Sequence, residues 1–404
     1  MVTDSNLNLT ILQSLQAKNL PGGKVLLTRK LEEAVQKFES LWPGTITVMM
    51  EETTEETDSI DKKIFSRNEL PFNLKIVSFD QLTPADFRDQ TSLVLATIGY
   101  RQNHISQICQ SAGVPCIYVS EYTLQTRKQI IAVNTKNPLL RLRRNLWEHS
   151  QEQKQIQAIQ LAQGLQSNGT PTYEAYRAIN RAPMLFYDTR ISEDMLPTNE
   201  ELEKRTGRLN ENKPLQLVFS GRLNPMKGAD HLLDVAQELK RLQVPFELHI
   251  SGAGVLEKAM KERIAKEGLH DCVKMREMPD DFKTKFFPFV KENIDLFICC
   301  HRQGDPSCTY IETMSCGVPI VGYANEAFSG MVEDSKAGWV VPMNKPKLLA
   351  KKVAELNNNR EEIKQMSLNS LNFAKMHTFD NTFSARIEHM KRIALSEKAV
   401  LAEK

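Results

Sequence analysis

The feature that most constrains this chain is an alternation, in its second half, of short apolar runs with segments of helical periodicity. Apolar runs of this length are typical of buried strands, and apolar residues three and four apart are typical of a helix packed on one face. Strands and helices that alternate in this way build a parallel α/β sheet. The predicted strands are 215–220, 246–251, 272–275, 294–300, 318–321 and 339–341, and the predicted helices are 232–242, 255–266 and 309–316.

The first half shows the same alternation less cleanly. Its predicted strands are 24–28, 45–49, 74–78, 93–97 and 115–119; its predicted helices are 31–41 and 105–112, and a long Gln-rich helical pattern covers 145–180. The acidic stretch 51–61 is predicted to be a mobile loop, and the charged stretch 196–214 a linker. Because 404 residues are too many for one ordinary core, we expect an α/β fold of two Rossmann-like domains that face each other across a cleft.

Charge and composition exclude several classes of protein. A formal net charge of +2 gives no strong attraction for nucleic acid. Basic residues cluster locally in 136–144, which is either a solvated helix face or a contact with an anionic surface such as lipid headgroups. No signal peptide or membrane-spanning run is present, and the seven cysteines show no metal-ligand spacing. We therefore expect a cytoplasmic protein, peripheral at the inner membrane face if the basic run contacts lipid, without a bound metal.

The strongest local signal follows the predicted strand 215–220. Gly221 ends the strand, Arg222 comes next, and Lys227 lies five residues further on, just before a helix. Glycine lets backbone N–H groups approach an anion, a helix N-terminus adds partial positive charge, and the two cations suit a diphosphate. The alternative is a surface turn with two solvated cations.

Two further segments follow strands of the same predicted sheet. Gly252 and Gly254 form a short Gly-x-Gly turn, which is weak evidence by itself. Behind the strand 294–300, a polar loop leads to a helix that carries Glu312, whose carboxylate has the chemistry to accept hydrogen bonds from two ribose hydroxyls. The alternative for Glu312 is a surface acid that complements the helix dipole. Because all three segments follow strand ends, they are expected to meet at one edge of the cleft.

Residues 215–345 resemble the nucleotide-sugar domain of retaining GT-B glycosyltransferases, specifically glycosyltransferase family 4. The matching strings are VFSGRLNPMKGADHLL, ELHISGAG, IDLFICCHRQGDPSCTYIETMSCGVPIVGY and MVEDSKAGWVVP, and HTFDNTFSARIEHMKRIA resembles the closing helix of that family. The resemblance implies an N-terminal acceptor domain (1–200), a nucleotide-sugar domain (213–376) and a C-terminal helix (377–404) that crosses back to the first domain.

The resemblance also implies roles for individual residues. Arg222 and Lys227 would hold the donor diphosphate and stabilise its developing charge without a metal. Glu312 would bind the ribose, and Gly221, Gly252 and Gly254 would lie near the nucleotide. The base would contact mainly the backbone of Met275 and Arg276, while Ser307, Cys308 and Thr309 would line the sugar and phosphate.

Three positions depart from the pattern of the family. Gly304 stands where the family carries an acid that contacts the donor sugar, so Asp305 is the candidate to replace it. Glu121 stands about where many members place a histidine, with His104 a second candidate on the acceptor side. Glycines 22 and 23 precede the predicted first strand, whereas the family has a glycine-rich loop after it.

The resulting hypothesis is a retaining, metal-independent hexosyltransferase. It would move a hexose from a nucleotide-diphosphate sugar to a saccharide or lipid-linked acceptor in polysaccharide or glycolipid synthesis, with no cofactor and no nucleic-acid partner. One alternative is a transferase that uses a small soluble acceptor, and another is a nucleotide-binding scaffold or regulatory protein derived from such an enzyme. A nicotinamide dehydrogenase is disfavoured, since no Gly-x-Gly-x-x-Gly with a distal acid follows the first strand.

Overall fold

The computed structural model describes residues 7–54, 62–211, 213–276 and 282–402. Its strands are β1 (Leu9–Leu12), β2 (Lys18–Leu20), β3 (Lys24–Thr28), β4 (Ile46–Met50), β5 (Lys62–Ser66), β6 (Asn73–Ile76), β7 (Leu93–Thr97), β8 (Cys116–Ser120), β9 (Gly164–Asn168), β10 (Pro183–Phe186), β11 (Leu215–Ser220), β12 (Phe246–Ser251), β13 (Val273–Arg276), β14 (Leu296–Cys299), β15 (Ile320–Tyr323) and β16 (Gly338–Val341).

The α-helices surround these strands. They are α1 (Arg29–Leu41), α2 (Ile105–Ala112), α3 (Leu124–Asn134), α4 (Pro138–Leu161), α5 (Thr170–Tyr176), α6 (Asn199–Gly207), α7 (Ala229–Arg241), α8 (Glu257–Lys266), α9 (Phe287–Asn293), α10 (Cys308–Ser315), α11 (Glu326–Ser335), α12 (Pro346–Asn358), α13 (Arg360–Met376) and α14 (Phe379–Ala402).

Two parallel sheets organise the chain. The first has the strand order β10-β9-β8-β7-β1-β4-β6, and the second has the order β13-β12-β11-β14-β15-β16. In each sheet the chain first builds outward from its first strand on one side and then returns to build on the other side. The points of reversal lie between β1 and β7 and between β11 and β14, and such points are where open α/β sheets bind ligands. The predicted fold class of two Rossmann-like domains is confirmed.

The strand predictions for the second sheet are confirmed within two residues at nearly every strand end. In the first half the strand predicted at 24–28 is present as β3, but its predicted place as the first strand of the sheet was wrong. β3 belongs to a separate antiparallel sheet, β2-β3-β5, and the parallel sheet begins with β1, which the sequence analysis missed together with β9 and β10. The loop that follows the true first strand, Gln13–Gln16, contains no glycine. The predicted mobile loop lies largely in residues 55–61, outside the described residues.

The segment predicted to be a linker is also wrong, because it contains α6. A capping box starts this helix: the Thr198 hydroxyl accepts from the Glu201 amide, and the Glu201 carboxylate accepts from the Thr198 amide. Leu202 and Arg205 are buried, and the Arg205 guanidinium donates to the carbonyl oxygens of Ile294 and Gly317. The segment therefore belongs to the second half of the molecule, where it packs beside β14.

Helix α14 packs against the first sheet. Phe383, Ile387, Met390 and Ile393 join the core that also contains residues of β1, β4 and β7. This apolar burial anchors α14 to the first half of the molecule, although the helices just before it in sequence belong to the second half. The three predicted domain boundaries stay predictions. Among the described residues, the helices include none with both the length and the apolar character needed to cross a bilayer.

Candidate functional site

The turns after β11 and β12 pack backbone against backbone. The Gly221 amide donates to Ser251 O at 3.0 Å, and the Leu223 amide donates to Ala253 O at 2.9 Å. A Cβ on Gly252 would lie 1.9 Å from Gly221 O, and a Cβ on Gly254 would lie 2.5 Å from Leu223 O. No side chain fits at either position, so the two glycine turns predicted from the sequence form one surface.

Lys227 lies beside the end of the neighbouring strand β14. Its side chain is buried, and its ammonium Nζ donates to Asp305 Oδ2 at 3.0 Å and lies 3.5 Å from Ser307 Oγ. Gly228 makes this approach feasible: it has φ +64°, and a Cβ there would lie 1.9 Å from Cys300 O. The structure therefore brings Lys227, Asp305 and Ser307 together at the point where the second sheet reverses its strand order.

Within the described part of the chain, only one of the two carboxylate oxygens of Asp305 has a hydrogen-bond partner. Oδ2 accepts from Lys227, whereas Oδ1 is buried and has no hydrogen-bond partner there. A buried carboxylate oxygen without a donor is unfavourable, so this geometry is suited to a ligand that brings a hydroxyl or an N–H group.

Arg222 is exposed and lies two residues after the end of β11. The pKa of Tyr122 is raised to about 12, mainly by burial and then by the negative charges of Glu121 and Asp305, while the positive charge of Arg222 lowers it. Arg222 and Asp305 thus both lie within electrostatic range of a tyrosine on the opposite wall. The segment after β8 and the turn after β11 are therefore within electrostatic range of each other.

Helix α10 begins at Cys308, directly after the Ser307 that Lys227 approaches. Thr309 lies in its first turn, and Glu312 lies one turn further on, half-buried. The Cys308 Sγ lies 3.7 Å from Asp188 Oδ2 of the first half. The start of α10, with Ser307 and Cys308, therefore lies at the cleft, and the predicted role of Glu312, one turn further along the helix, stays a prediction.

Met275 and Arg276 end β13, where Arg276 pairs with Ser251 in the sheet. The Arg276 guanidinium lies 4.3 Å from the ring of Phe289, and its Nε donates to His249 Nδ1 at 2.9 Å. Burial first, and then the charge of Arg276, lowers the pKa of His249 to about 4. The Arg276 side chain, although exposed, thus contacts His249 and Phe289, and the predicted contact of a base with the backbone at Met275 and Arg276 stays a prediction.

A cavity of about 380 Å³ lies at the carboxyl ends of the first sheet's strands. It is bounded by the loop after β1, the end of β7 and helix α14, so it coincides with the reversal point of that sheet. One wall is aromatic and consists of Phe38, Phe186, Phe379 and Phe383. An apolar wall at a reversal point is the usual setting of a small-molecule site.

The polar side of the same cavity carries both signs of charge. Glu121, Asp188 and Arg386 are among its lining residues. Arg386 is buried, donates to Gln166 Oε1 at 2.9 Å and lies 4.2 Å from the ring of Phe186. Burial lowers its pKa to about 10, against the opposing effect of Asp188 and Glu121. Arg386 and the two carboxylates thus bring both signs of charge to a partly apolar cavity, which is suited to orienting a hydroxylated ligand.

Of the two residues predicted on the acceptor side, the structure brings only Glu121 to this cavity. His104 precedes α2, and its Nε2 lies 3.0 Å from Phe79 O. That contact holds the histidine ring against the loop after β6, so His104 has a local structural partner instead of a place in the cavity wall.

Several hydrogen bonds tie the two halves together around Gly304. Its amide donates to Gln129 Oε1 at 3.0 Å, and its carbonyl accepts from Thr126 Oγ1 at 3.3 Å. Beside it, Thr123 Oγ1 donates to Glu326 Oε2 at 3.1 Å. A Cβ on Gly304 would lie 3.1 Å from Glu326 Oε2 and 3.2 Å from Thr126 Oγ1. An acidic side chain at 304 would therefore need this contact to open, and the carboxylate beside it comes from Glu326.

Sequence reasoning missed Glu326, Asp188 and Arg386. Each lies outside the glycine-containing motifs. Asp188 follows β10, which was not predicted, and Arg386 lies within α14, whereas Glu326 follows the predicted strand 318–321. Only Glu326 lies in a pattern that the sequence could have shown. It opens α11 after the N-cap Asn325, and this pattern predicts a helix N-terminus at the end of β15.

Comparisons with known proteins agree with this architecture. Residues 200–372 match the family described as glycosyl transferases group 1. The chain is 26% identical over 150 residues to the putative colanic acid biosynthesis glycosyltransferase WcaL of Salmonella typhimurium, covering 36% of each protein. It is 26% identical over 157 residues to the amylovoran biosynthesis glycosyltransferase AmsK of Erwinia amylovora, covering 37% of this chain and 38% of AmsK. The chain thus spans little more than a third of the length of these curated relatives.

Solved structures match over nearly the whole chain. Sucrose-phosphate synthase from Thermosynechococcus elongatus superposes with a TM-score of 0.62 at 14% identity, covering 97% of this chain and 100% of the other. Anabaena HepE in complex with UDP superposes with a TM-score of 0.60 at 15% identity, covering 95% and 98%. These similarities show the fold: two Rossmann-like domains in the GT-B arrangement.

Proposed function

We propose that this protein is a glycosyltransferase that moves a hexose from a nucleotide-diphosphate sugar to an acceptor hydroxyl, with retention of anomeric configuration, in polysaccharide or glycolipid synthesis on the cytoplasmic side. The observation that carries the proposal is the buried Lys227 ammonium, held by Asp305 and Ser307 at the reversal point of the second sheet. The family match over residues 200–372 covers this site. WcaL is named as a putative glycosyltransferase of colanic acid biosynthesis and AmsK as a glycosyltransferase of amylovoran biosynthesis.

The chemistry of the site supports a diphosphate as the anion. Lys227 supplies a buried point charge, Arg222 supplies a planar guanidinium on the adjacent turn, and the glycine surface lets backbone N–H groups approach. In this half-buried setting, cations aimed at the leaving diphosphate stabilise the charge that develops as the glycosidic bond breaks. The proposed mechanism uses these cations and requires no metal.

We propose that Asp305 has two roles. In the absence of donor it pairs with Lys227, and its partnerless Oδ1 is available to a hydroxyl of the donor sugar. The diphosphate then shares Lys227 with Asp305. We further propose that Glu312 binds the ribose, that Ser307, Cys308 and Thr309 line the sugar and phosphate, and that the base contacts the backbone at Met275 and Arg276.

The cavity of the first sheet is the proposed acceptor site. It lies across the cleft from Lys227, and Asp188, which lines it, touches Cys308 at the start of α10. An acceptor hydroxyl placed between them would reach the donor sugar from the face of the leaving diphosphate. The diphosphate itself then accepts the proton, so no separate protein base is needed for retention.

A donor screen tests the proposal. Uridine, guanosine and adenosine diphosphates and their hexose conjugates are added separately, and the melting temperature is measured, since a ligand that binds only the folded state raises it. HepE has been solved with UDP and with UDP-glucose, so the uridine series is the first to try. We expect one series to stabilise the protein and its sugar conjugate to be cleaved, with the α-anomer retained in the product by NMR.

The scaffold alternative predicts a different outcome of the same screen. A nucleotide-binding regulatory protein would show the thermal shift, yet would release no sugar with any acceptor or with water. The absence of a thermal shift with all three diphosphates would contradict both proposals.

A further inference from the structure

The helical hairpin of α3 and α4 carries an unusual surface at its closed end. We call residues 128–147 the hairpin tip. On α4 its apolar side chains are strongly exposed: Leu139 is 78% exposed, Leu142 58%, Leu146 62% and Trp147 46%. Single exposed leucines are common on soluble proteins, but four large apolar residues within three turns of one helix form a continuous patch.

Helical geometry places this patch on one face. Leu139, Leu142 and Leu146 are separated by three and four residues, so they line one stripe of α4. Arg143 lies directly beside the stripe, one turn from both Leu139 and Trp147. The Trp147 ring contacts Tyr100 edge-on at 5.6 Å, and Tyr100 is itself 62% exposed, which extends the patch with a second aromatic residue.

The charge of the hairpin tip has a single sign. Residues 128–147 contain five basic residues (Lys128, Lys136, Arg141, Arg143 and Arg144) and no aspartate or glutamate. A protein partner or a second copy of this chain would have to bring acidic groups to this patch as well as an apolar face. An anionic bilayer offers both at once, because its phosphates lie directly above its acyl chains.

Hydrogen bonds between the two helices and at the turn hold the hairpin tip in a fixed position. At its base, Arg127 donates to the carboxylates of Glu148 and Glu152 across the two helices. At the turn, Arg141 donates to Thr135 O and Arg144 donates to Thr135 Oγ1 at 2.7 Å. The apolar stripe is therefore exposed on an ordered element and does not owe its exposure to a loose end.

The same hairpin reaches the candidate site at its other end. Near the start of α3, Thr126 donates to Gly304 O, and Thr123, just before the helix, donates to Glu326. A surface bound at the tip would thus lie at one end of a helix whose other end closes the cleft.

We propose that the hairpin tip docks on an anionic lipid surface, with its leucines and Trp147 in the headgroup region and its basic side chains on lipid phosphates. Docking would orient the cleft toward an acceptor held in that bilayer; this last consequence rests on the proposed function, whereas the docking itself does not.

Vesicle co-sedimentation of the full chain tests the docking without any sugar chemistry. We expect binding to vesicles of phosphatidylcholine with 30% phosphatidylglycerol, at least tenfold weaker binding to pure phosphatidylcholine, and a steep loss between 50 and 500 mM NaCl, as charge attraction is screened. Equal binding to both vesicle types, or no binding to either, would overturn the proposal.

Two sets of variants locate the contact. The triple change Leu139→Ser, Leu142→Ser and Leu146→Ser, and separately Lys136→Glu with Arg143→Glu, should each reduce binding at least tenfold. Matched changes elsewhere, Leu348→Ser with Leu368→Ser and Lys258→Glu with Lys351→Glu, alter similarly exposed residues and should leave it unchanged. Because the tip residues are exposed, melting temperatures should stay near that of the parent chain; unaltered binding by both tip variants refutes the assignment.

Trp147 provides a readout that does not depend on a loss of binding. Of the three tryptophans, Trp42 is buried and Trp339 is half-buried, so Trp147 dominates any change at the surface. Anionic vesicles should shift the emission to the blue, and Trp147→Phe should abolish the shift while binding persists. A lipid-free dimer in sedimentation velocity that the triple leucine variant abolishes would instead assign the patch to contact between copies of this chain.

Discussion

The two sides of the cleft are built in different ways. The side that belongs to the second sheet consists of short contiguous motifs, in which glycines bring backbone turns into contact and one buried lysine is fixed by its neighbours. The side that belongs to the first sheet is a cavity whose wall comes from the loop after β1, the end of β8, β10 and the distant helix α14. In the glycine turns, backbone contacts leave almost no freedom to change a residue. The properties of the cavity depend on side chains alone.

This difference bears on what each side does. An anionic diphosphate is similar in all nucleotide sugars, so a site for it can be built from backbone geometry and fixed charges. Acceptors differ in shape and polarity, so a site for them is adjusted through side chains on a stable wall. We therefore expect substitutions in the second half to affect donor binding or folding, and substitutions in the cavity to affect the acceptor.

The largest effect is expected for Lys227→Ala. Loss of the buried ammonium removes a phosphate contact and leaves the Asp305 carboxylate without its partner, so diphosphate affinity should fall roughly 500-fold, or ~4 kcal/mol. Nucleoside affinity should change little, and calorimetry with both ligands measures the contrast. Lys240→Ala is the control, since Lys240 donates to Gly268 O on the surface.

Equal losses for diphosphate and nucleoside would contradict a phosphate role for Lys227. The double variant Lys227→Ala with Asp305→Ala separates the two causes. It should recover the melting temperature, because no buried carboxylate is then left unpaired, and it should still fail to bind diphosphate.

The next effect concerns the glycine that admits Lys227 to its place. Gly228→Ala puts a Cβ 1.9 Å from Cys300 O at a residue with φ +64°, so the free energy of unfolding should fall by about 3 kcal/mol. Gly268→Ala is a close control, because Gly268 has φ +62° and nothing within 4 Å of its Cβ position. Chemical denaturation should show a loss of only about 1 kcal/mol there; similar losses in both variants would show that the close approach to Cys300 has no energetic weight.

The same contrast explains what the sequence could and could not reveal. The second sheet was predicted strand by strand because each strand is a compact apolar run and each glycine directly follows one. Of the charged site residues, Lys227 and Asp305 were identified because both lie in those motifs. The structure adds their ion pair, which no spacing rule contains because 78 residues separate them.

Strands of the first half were missed by the sequence analysis for physical reasons. All five residues of β9 are buried although its sequence, GLQSN, is polar. Gln166 within it is satisfied by Arg386, whose carbonyl accepts from the Gln166 side chain and whose guanidinium donates back, and 220 residues separate the two. A polar strand whose partner lies at the other end of the chain cannot be recognised from local pattern. Helix α6 was different: its capping box, Thr198 with Glu201, was legible and was overlooked.

A fall in pH is expected to destabilise the second half of the molecule more than the first, by an amount intermediate among these predictions. His249 on β12 has its pKa lowered to about 4 by burial and by Arg276. Since this value lies below the ~6.5 of an unfolded histidine, folding favours the neutral form, and the stabilisation is complete above pH 6.5 and declines as the pH falls toward 4. At pH 5 the loss is about 2 kcal/mol.

Hydrogen exchange at pH 7 and pH 5 measures where the loss occurs. Peptides of β11, β12 and β13 should become less protected at pH 5 than those of β1 and β7. His249→Gln keeps a polar group next to Arg276 without titrating, so it should reduce the pH dependence of the melting temperature. An unaltered pH dependence in this variant would assign the acid sensitivity to other groups.

The smallest expected effect tests the cavity. Glu121→Gln keeps the shape of the side chain but removes one of the two negative charges that act on Arg386, so the KM for an acceptor should rise about tenfold, or ~1.4 kcal/mol, with the KM for the donor unchanged. Alkyl glycosides serve as soluble acceptor probes, and Glu203→Gln on α6 is the control for an exposed glutamate elsewhere. A change confined to the donor KM would reverse the assignment of the two sides, because the cavity would then belong to the nucleotide sugar and the glycine turns to the acceptor.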